Sequence, residues 1–337
     1  HRTTQGGSSM RKLLIGILGA AVLAVAPAHA QTYNLTLAGA SPGGLWSRIG
    51  LGLDKALAKA YPGSTVTYQT GSGGIANAKL VQDKKVPMGI ATDPELASAV
   101  RGTGPFRGKP QKDLRVLVRV YAPAARFQLT HLLINGDVAK KLKITSMADF
   151  VKNASKLRVA VNRPGNMDGD VSLAFFKVNG LNPKKFRKLV RAASREMTKL
   201  MLDRRIDAIS VGLSYKNRRI REVAKGIPLL MLNQGKGAAT RIAKRFGLER
   251  CKVLAKEYKF LHIDSHSVCF GAVIVANKSM SNKTAYDITK AMLSQIEAFK
   301  SAHRALKKAT TPKSIAQPSA AAHHPGAIKA YKEAGLM

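Results

Sequence analysis

The chain has 337 residues, with 56 Lys and Arg against 19 Asp and Glu, a formal net charge of +37. Such an excess raises nucleic acid as a partner, but the cations are spread over many amphipathic segments and cluster only at 187–191, 204–205 and 216–221. That distribution reads as solvated faces, with attraction to anionic surfaces, partners or ligands, and no nucleic-acid partner is expected. Cys251, Cys269 and the His323-His324 pair make no metal-ligand spacing, so no metal and no cofactor is expected either.

Residues 1–9 read as an upstream or cloning extension ahead of Met10. Arg11 and Lys12 form a positive n-region, residues 13–26 an apolar stretch, and Ala28-His29-Ala30 a small-x-small cleavage site. Residues 10–30 therefore predict a signal peptide cut after Ala30, with a mature, soluble, periplasmic chain starting at Gln31. No Cys follows the site, so no lipid anchor is indicated. Removing residues 1–30 takes away three cations and no acid, leaving 53 against 19, or +34. The mature length suits two domains, each with its own core. Outside the cytoplasm, Cys251 and Cys269 are free to form one disulfide.

An apolar run at 35–38 enters the glycine-rich loop around Gly39, Gly43 and Gly44. Helical spacing follows at once, with Ile49, Leu53, Ala56, Leu57 and Tyr61 on one face. Strand, glycine loop and helix start leave backbone N–H groups pointing at a polar or anionic guest. The device recurs where strand 65–69 meets Thr70, Gly71, Ser72, Gly73 and Gly74, followed by Asn77. It recurs again where strand 158–162 meets Arg163, Pro164, Gly165, Asn166 and Met167.

Further strands are predicted at 86–91, ending at Thr92-Asp93-Pro94, and at 115–121, 128–134, 206–211 (just before Gly212) and 267–276. Helices are predicted from the capped start at 145–149, over 171–178, over 194–202, as one long helix over 286–306 and as a final helix at 326–334. Residues 310–322 read as a loop. The alternation predicts α/β architecture with parallel sheets. The long apolar strands near 121–129 and 267–275 suit crossings between domains. They imply a discontinuous domain, 31–122 with 268–337, wrapped around a second, 123–267.

Gly39, Ser41 and Gly43 also satisfy a G-x-S-x-G nucleophile elbow. That motif needs an oxyanion donor from an earlier strand, and eight residues lie between the expected cleavage site and Gly39, so a ligand-binding or turning role is the stronger reading. Residues 71–74 lack the Gly-Lys-Ser/Thr of a phosphate-binding loop. Arg163 suits a bidentate grip on a carboxylate, Asp168 a helix cap, and Trp46 and Tyr121 either a ligand wall or packing.

The C-terminal segment, with His324, Pro325, Gly326, Ala327, Tyr331, Glu333 and Gly335, resembles the ending of TAXI-type solute receptors of tripartite ATP-independent periplasmic (TRAP) transporters. Gly39, Gly43, Gly44 and Gly50 resemble that family's opening, and Gly73, Gly74 and Asn77 its Gly-Gly-x-x-Asn element. Tyr121, Pro164-Gly165, Asp207-Ala208 and residues 286–290 follow in the family's order. The resemblance implies a type II periplasmic-binding fold, two α/β domains joined by hinge strands with the ligand between them. It implies a receptor, not an enzyme, that hands a small organic solute, often a carboxylate, to TRAP membrane permease subunits. Leu45, Trp46, Ile75 and the run Gly165, Asn166, Met167 and Asp168 depart from the family's pattern of hydroxyl and aromatic residues, which leaves room for a larger, partly apolar ligand.

The expected ligand-binding residues are Gly43, Gly44, Trp46, Ser72, Gly73, Gly74, Asn77, Asp93, Tyr121, Arg163, Gly165, Asn166, Met167 and Gly212. The expected receptor is a monomer. The competing readings are a secreted serine hydrolase using Ser41 and a binding protein of another transporter type.

Overall fold

The structure, a computed structural model, describes residues 31–337. The expected extension, signal segment and cleavage site at Ala30 lie outside the described residues.

The chain opens with β1 (Asn34–Ala38), α1 (Leu45–Ala60), β2 (Thr65–Gln69), α2 (Gly74–Gln82), β3 (Met88–Thr92), α3 (Asp93–Arg101) and β4 (Leu114–Tyr121). In α1 the apolar spacing does its expected work, since Ile49, Leu53, Ala56 and Leu57 are all buried. The middle of the chain builds β5 (Gln128–Asn135), α4 (Gly136–Leu142), α5 (Met147–Lys152), β6 (Arg158–Val161), α6 (Met167–Val178), β7 (Lys188–Arg191), α7 (Ser194–Leu202), β8 (Ala208–Leu213), α8 (Arg218–Gly226), β9 (Leu229–Met231), α9 (Lys236–Phe246), β10 (Glu249–Val253) and β11 (Ser265–Phe270). It closes with β12 (Ala272–Asn277), α10 (Asn282–Ser294), α11 (Ile296–Lys300), α12 (Arg304–Ala309), α13 (Pro312–Ile315) and α14 (Pro325–Glu333).

Among the described residues two sheets form. One has five strands in the order β2-β1-β3-β12-β4, and the other has seven, β10-β11-β5-β8-β6-β7 with β9 beside β5. Neither is purely parallel, as the pattern had suggested: β1 runs parallel to β2 and β3, and β6 to β7 and β8, but β12 and β5 run antiparallel to their neighbours. β5 and β12 are the strands on which the chain enters one sheet from the other; β10 also runs antiparallel to β11, within the second sheet.

The chain changes sheets at two adjacent places. Residues 122–127 join β4 to β5, and Gly271 alone joins β11 to β12. Ala272 pairs with Tyr121 and Phe270 with Gln128, so the crossings lie side by side. The apolar run 267–276, read as one strand, is therefore two strands in two sheets. Gly271 breaks it because a Cβ there would fall 2.3 Å from Asp93 Oδ2 and 2.5 Å from Arg119 Nη1. Those two side chains form a nearly buried ion pair at 2.8 Å, and Gly271 O accepts the Asp93 N–H at 3.0 Å.

The helix expected over 286–306 is also divided. Gln295 leaves helical geometry at φ −113° and ψ 33°, and His303 is extended, its Nδ1 accepting the Ala305 N–H at 3.2 Å to start α12. Within the expected loop 310–322, Thr311 caps the short α13. Cys251 and Cys269 are joined as a disulfide, with Cα atoms 5.8 Å apart, tying edge strand β10 to β11.

Candidate ligand-binding cleft

Three segments converge on a cavity of about 900 Å³ between the sheets. The first is the β1–α1 loop with the start of α1, from Ala40 to Arg48. The second is the turn after β8 with the start of α8, from Gly212 to Arg221. The third runs from Ser301 to Lys308 around α12. Gln128, Asn162, Asn166, Asp168 and Ser194 complete the wall. Gly44 caps α1 with no side-chain bond, and no acid stands in that helix's first turn, so the helix start brings no negative charge of its own to the cavity wall.

The lining is electrostatically one-sided. Arg48, Lys216, Arg218, Arg219, Arg221, Arg304 and Lys308 are cationic, and Asp168 is the lone carboxylate. Among the described residues only Arg218 of these seven forms an ion pair, with Glu222. Burial pulls the half-buried Arg219 guanidinium down from its ordinary pKa, and the neighbouring Arg195 charge pulls the same way. Arg219 links α8 to the β1–α1 loop and the start of α7, donating to Gly43 O at 2.9 Å and to Ser194 Oγ at 3.3 Å.

Asp168 is 1 % exposed. Burial pushes its carboxyl up to about 6, against the pull of the Gly212 backbone amide and the Asn162 amide, which donates at 3.1 Å. Gly212 admits this approach, since a Cβ there would lie 2.6 Å from Asp168 Oδ1. Trp46 donates from Nε1 to the Tyr121 hydroxyl at 3.0 Å, and that hydroxyl donates to Gln128 Oε1 at 2.7 Å. Trp46 thus reaches the wall with its polar atom already bonded, while Tyr121 lies wholly buried behind it.

Of the expected residues, the structure brings Gly43, Gly44, Trp46, Asn166 and Gly212 to the cavity wall. Asn166 also caps α6, accepting the Asp168 N–H at 3.0 Å. The others lie elsewhere. Asn77 is buried and donates to Ile90 O at 2.8 Å, holding α2 to β3, and Asp93 is paired with Arg119. Ser72, Gly73 and Gly74 meet the loop of Arg163, Gly165 and Met167 in a closed seam: a Cβ on Gly73 would lie 3.2 Å from Gly165 O, and one on Gly165 3.4 Å from Ser72 Cβ.

Two contacts lock that seam. Arg163 donates from Nη2 to Gly71 O at 3.0 Å and to Ser41 Oγ at 3.2 Å. Met167 donates its N–H to Glu95 Oε1 at 3.0 Å, while Glu95 Oε2 accepts the Thr92 N–H at 2.8 Å. The helix start expected to attract an anionic ligand is therefore occupied by the protein's own carboxylate. Gly74 makes room for it, because a Cβ there would fall 1.9 Å from Glu95 Oε2.

Ser41 lines the cavity, and its hydroxyl oxygen accepts from Arg163; no histidine hydrogen-bonds it among the described residues. His324 caps α14 and His323 packs against Tyr331. Sequence reasoning missed Arg48, His303, Arg304 and Lys308, exposed or half-exposed positions with no local motif. The cluster 216–221 is visible in the sequence as charge, but that it faces a cavity and not solvent is not.

A comparison with curated protein sequences returns no match. Among solved structures, a binding component of an ABC phosphonate transporter from Pseudomonas aeruginosa aligns with a TM-score of 0.55 at 12 % identity, over 83 % of this chain and 81 % of that one. PhnD1 from Prochlorococcus marinus, solved with methylphosphonate, aligns with 0.55 at 12 %, over 90 % and 99 %. MatC from Rhodopseudomonas palustris, solved with malate, aligns with 0.51 at 12 %, over 82 % and 88 %. The fold is that of the periplasmic binding proteins, α/β with two sheets and the cavity between them. The NMT1-like family matches residues 37–335, nearly the whole described chain, and the protein belongs to that family.

Proposed function

We propose that this chain is a non-catalytic periplasmic receptor that captures an organic anion, of the carboxylate class, between two domains and delivers it to a membrane permease of the TRAP type. The domains are built on the five- and seven-stranded sheets and hinge at residues 122–127 and at Gly271. The observation that carries the reading is the cavity, whose walls present seven cations and one buried carboxylate. A fold shared with proteins solved around methylphosphonate and malate supports it, as does the TAXI-like pattern of the C-terminal helix and glycine loops.

The test is a thermal-shift screen of the mature chain over organic acids, their neutral amides and amino acids, since a ligand bound only by the folded state raises Tm. Acids are expected to stabilise and amides to have no effect; a neutral solute that stabilises more than every acid sinks the carboxylate assignment. Uptake of the hit into vesicles carrying the permease then separates transporter types. Transport on an ion gradient without ATP is the expected result, and a strict ATP requirement would assign the receptor to another class.

A further inference from the structure

We infer that the solute is multiply charged, carrying at least three negative charges on carboxylate or phosphate groups that reach both walls of the cavity. This rests on the receptor reading and names its substrate class. The cations stand on opposite walls. Arg48 on α1, with Arg304 and Lys308 on α12, belongs to elements packed on the five-stranded sheet; Lys216, Arg218, Arg219 and Arg221 follow β8 of the seven-stranded sheet. Closing the cleft brings like charges together, and the chain answers with Asp168 alone. That carboxylate is itself buried and engaged by Asn162, so it neutralises neither wall.

Six of the seven cations lack a carboxylate within ion-pair reach among the described residues, and Arg195 adds another charge beside Gly43 and Arg219. A singly charged acid compensates one wall and leaves the other to oppose closure, whereas a solute with anionic groups at both ends bridges them. The space suffices: about 900 Å³ lies near the upper end of sites that enclose drug-sized ligands. Most Lys and Arg elsewhere among the described residues are also without an ion pair, so what singles out these seven is their placement, lining one cavity from two sides.

The experiment is calorimetric titration of the mature chain with propionate, succinate and tricarballylate, and with 3-phosphoglycerate as the phosphate-borne trianion, at several salt concentrations. Each added charge is expected to tighten one-to-one binding by about tenfold, the gain typical of a charge-assisted contact. Arg304→Ala/Lys308→Ala and Lys216→Ala/Arg221→Ala alter exposed side chains and leave folding intact. Each is expected to weaken the trianion by at least about tenfold and propionate by much less. Lys140→Ala/Lys141→Ala, which removes equal charge from the exposed face of α4, is expected to change nothing. Preference for tricarballylate over 3-phosphoglycerate, or the reverse, decides which group carries the charge.

Propionate binding one-to-one as tightly as the trianions, or one wall accounting for all the affinity, overturns the inference and leaves the receptor reading standing. Equal weakening by the α4 pair also overturns it, as binding to general surface charge. If no probe of any charge binds one-to-one, the organic-anion assignment falls as well.

Discussion

The β1–α1 loop and the 71–74 loop look alike in sequence, each a strand running through glycines into a helix, yet they end in opposite situations. The first opens onto the cavity, its helix start without a side-chain cap and its Gly43 carbonyl bonded by Arg219. The second is pressed against the loop at 163–167, where Arg163 bonds Gly71 and the Glu95 carboxylate takes up Met167 N–H. A helix start attracts negative charge in either case. Both α1 and α2 begin without a side-chain cap or an acid in the first turn; in the seam it is the start of α6 that the remote Glu95 carboxylate occupies. Unmatched charge, more than glycine content, separates the open site from the closed one.

Substituting glycines in the first loop should break its apparent unity most strongly. A Cβ on Gly39 would lie 2.1 Å from the Tyr68 ring, whose hydroxyl accepts the Ala40 N–H at 2.7 Å. Gly43, at φ +65°, meets only the end of Arg195 at 3.2 Å. Gly39→Ala is therefore expected to cost about 3 kcal/mol in urea denaturation, at the top of the range for overpacking. Gly43→Ala should cost about 1 kcal/mol, the strain of a left-handed residue. Equal losses would show that both glycines serve packing and that the loop has no separate cavity-facing half.

This contrast marks what was legible in the residues. Helix α1, strands β1 and β2, and the limits of α7 follow from spacing along a few turns, because local periodicity decides which face is buried. The breaks at Gly271 and at Gln295 were not legible, since the apolar pattern runs through both. The first is set by an Asp93–Arg119 pair contributed by distant strands. At the site, the β1–α1 loop was found from its glycines and helix start. The cluster 216–221 was visible as charge, but its facing depends on β8 lying between β5 and β6, a tertiary fact. Arg48, Arg304 and Lys308 carry no motif at all.

A buried carboxyl in the cavity wall and a buried histidine away from it titrate in opposite directions. Burial raises Asp168 from 3.8 to about 6, so its contribution to folding is fully present below pH 3.8 and is lost as pH rises through about 6. Burial lowers His131 from 6.5 to about 4, so its contribution is present above pH 6.5 and is lost as pH falls through about 4. The two slopes oppose each other between pH 4 and 6. Asp168→Asn removes the first, and its stability relative to the parent should improve from pH 4 to pH 7 by on the order of 3 kcal/mol, two pKa units of linkage. Denaturation curves at the two pH values measure it. A pH-independent difference would mean that Asp168 titrates normally and is exposed to water in the folded chain.

The smallest expected effect tests the seam. Arg163 lies outside the cavity lining, yet its guanidinium joins the 71 loop and Ser41 to the 163–167 loop. Such bonds to a charged group are worth about 1.5–3 kcal/mol each at most, and water recovers part of that when a half-exposed arginine is removed. Arg163→Ala should therefore weaken solute binding by about 1 kcal/mol, roughly fivefold, by disfavouring the closed form. The loss should be the same for mono- and trianionic solutes, because it acts on closure and not on ligand charge. Titration of the variant with propionate and tricarballylate reads this directly. A loss that grows with ligand charge would put Arg163 on the ligand, moving the seam into the binding site and erasing the distinction between the two loops.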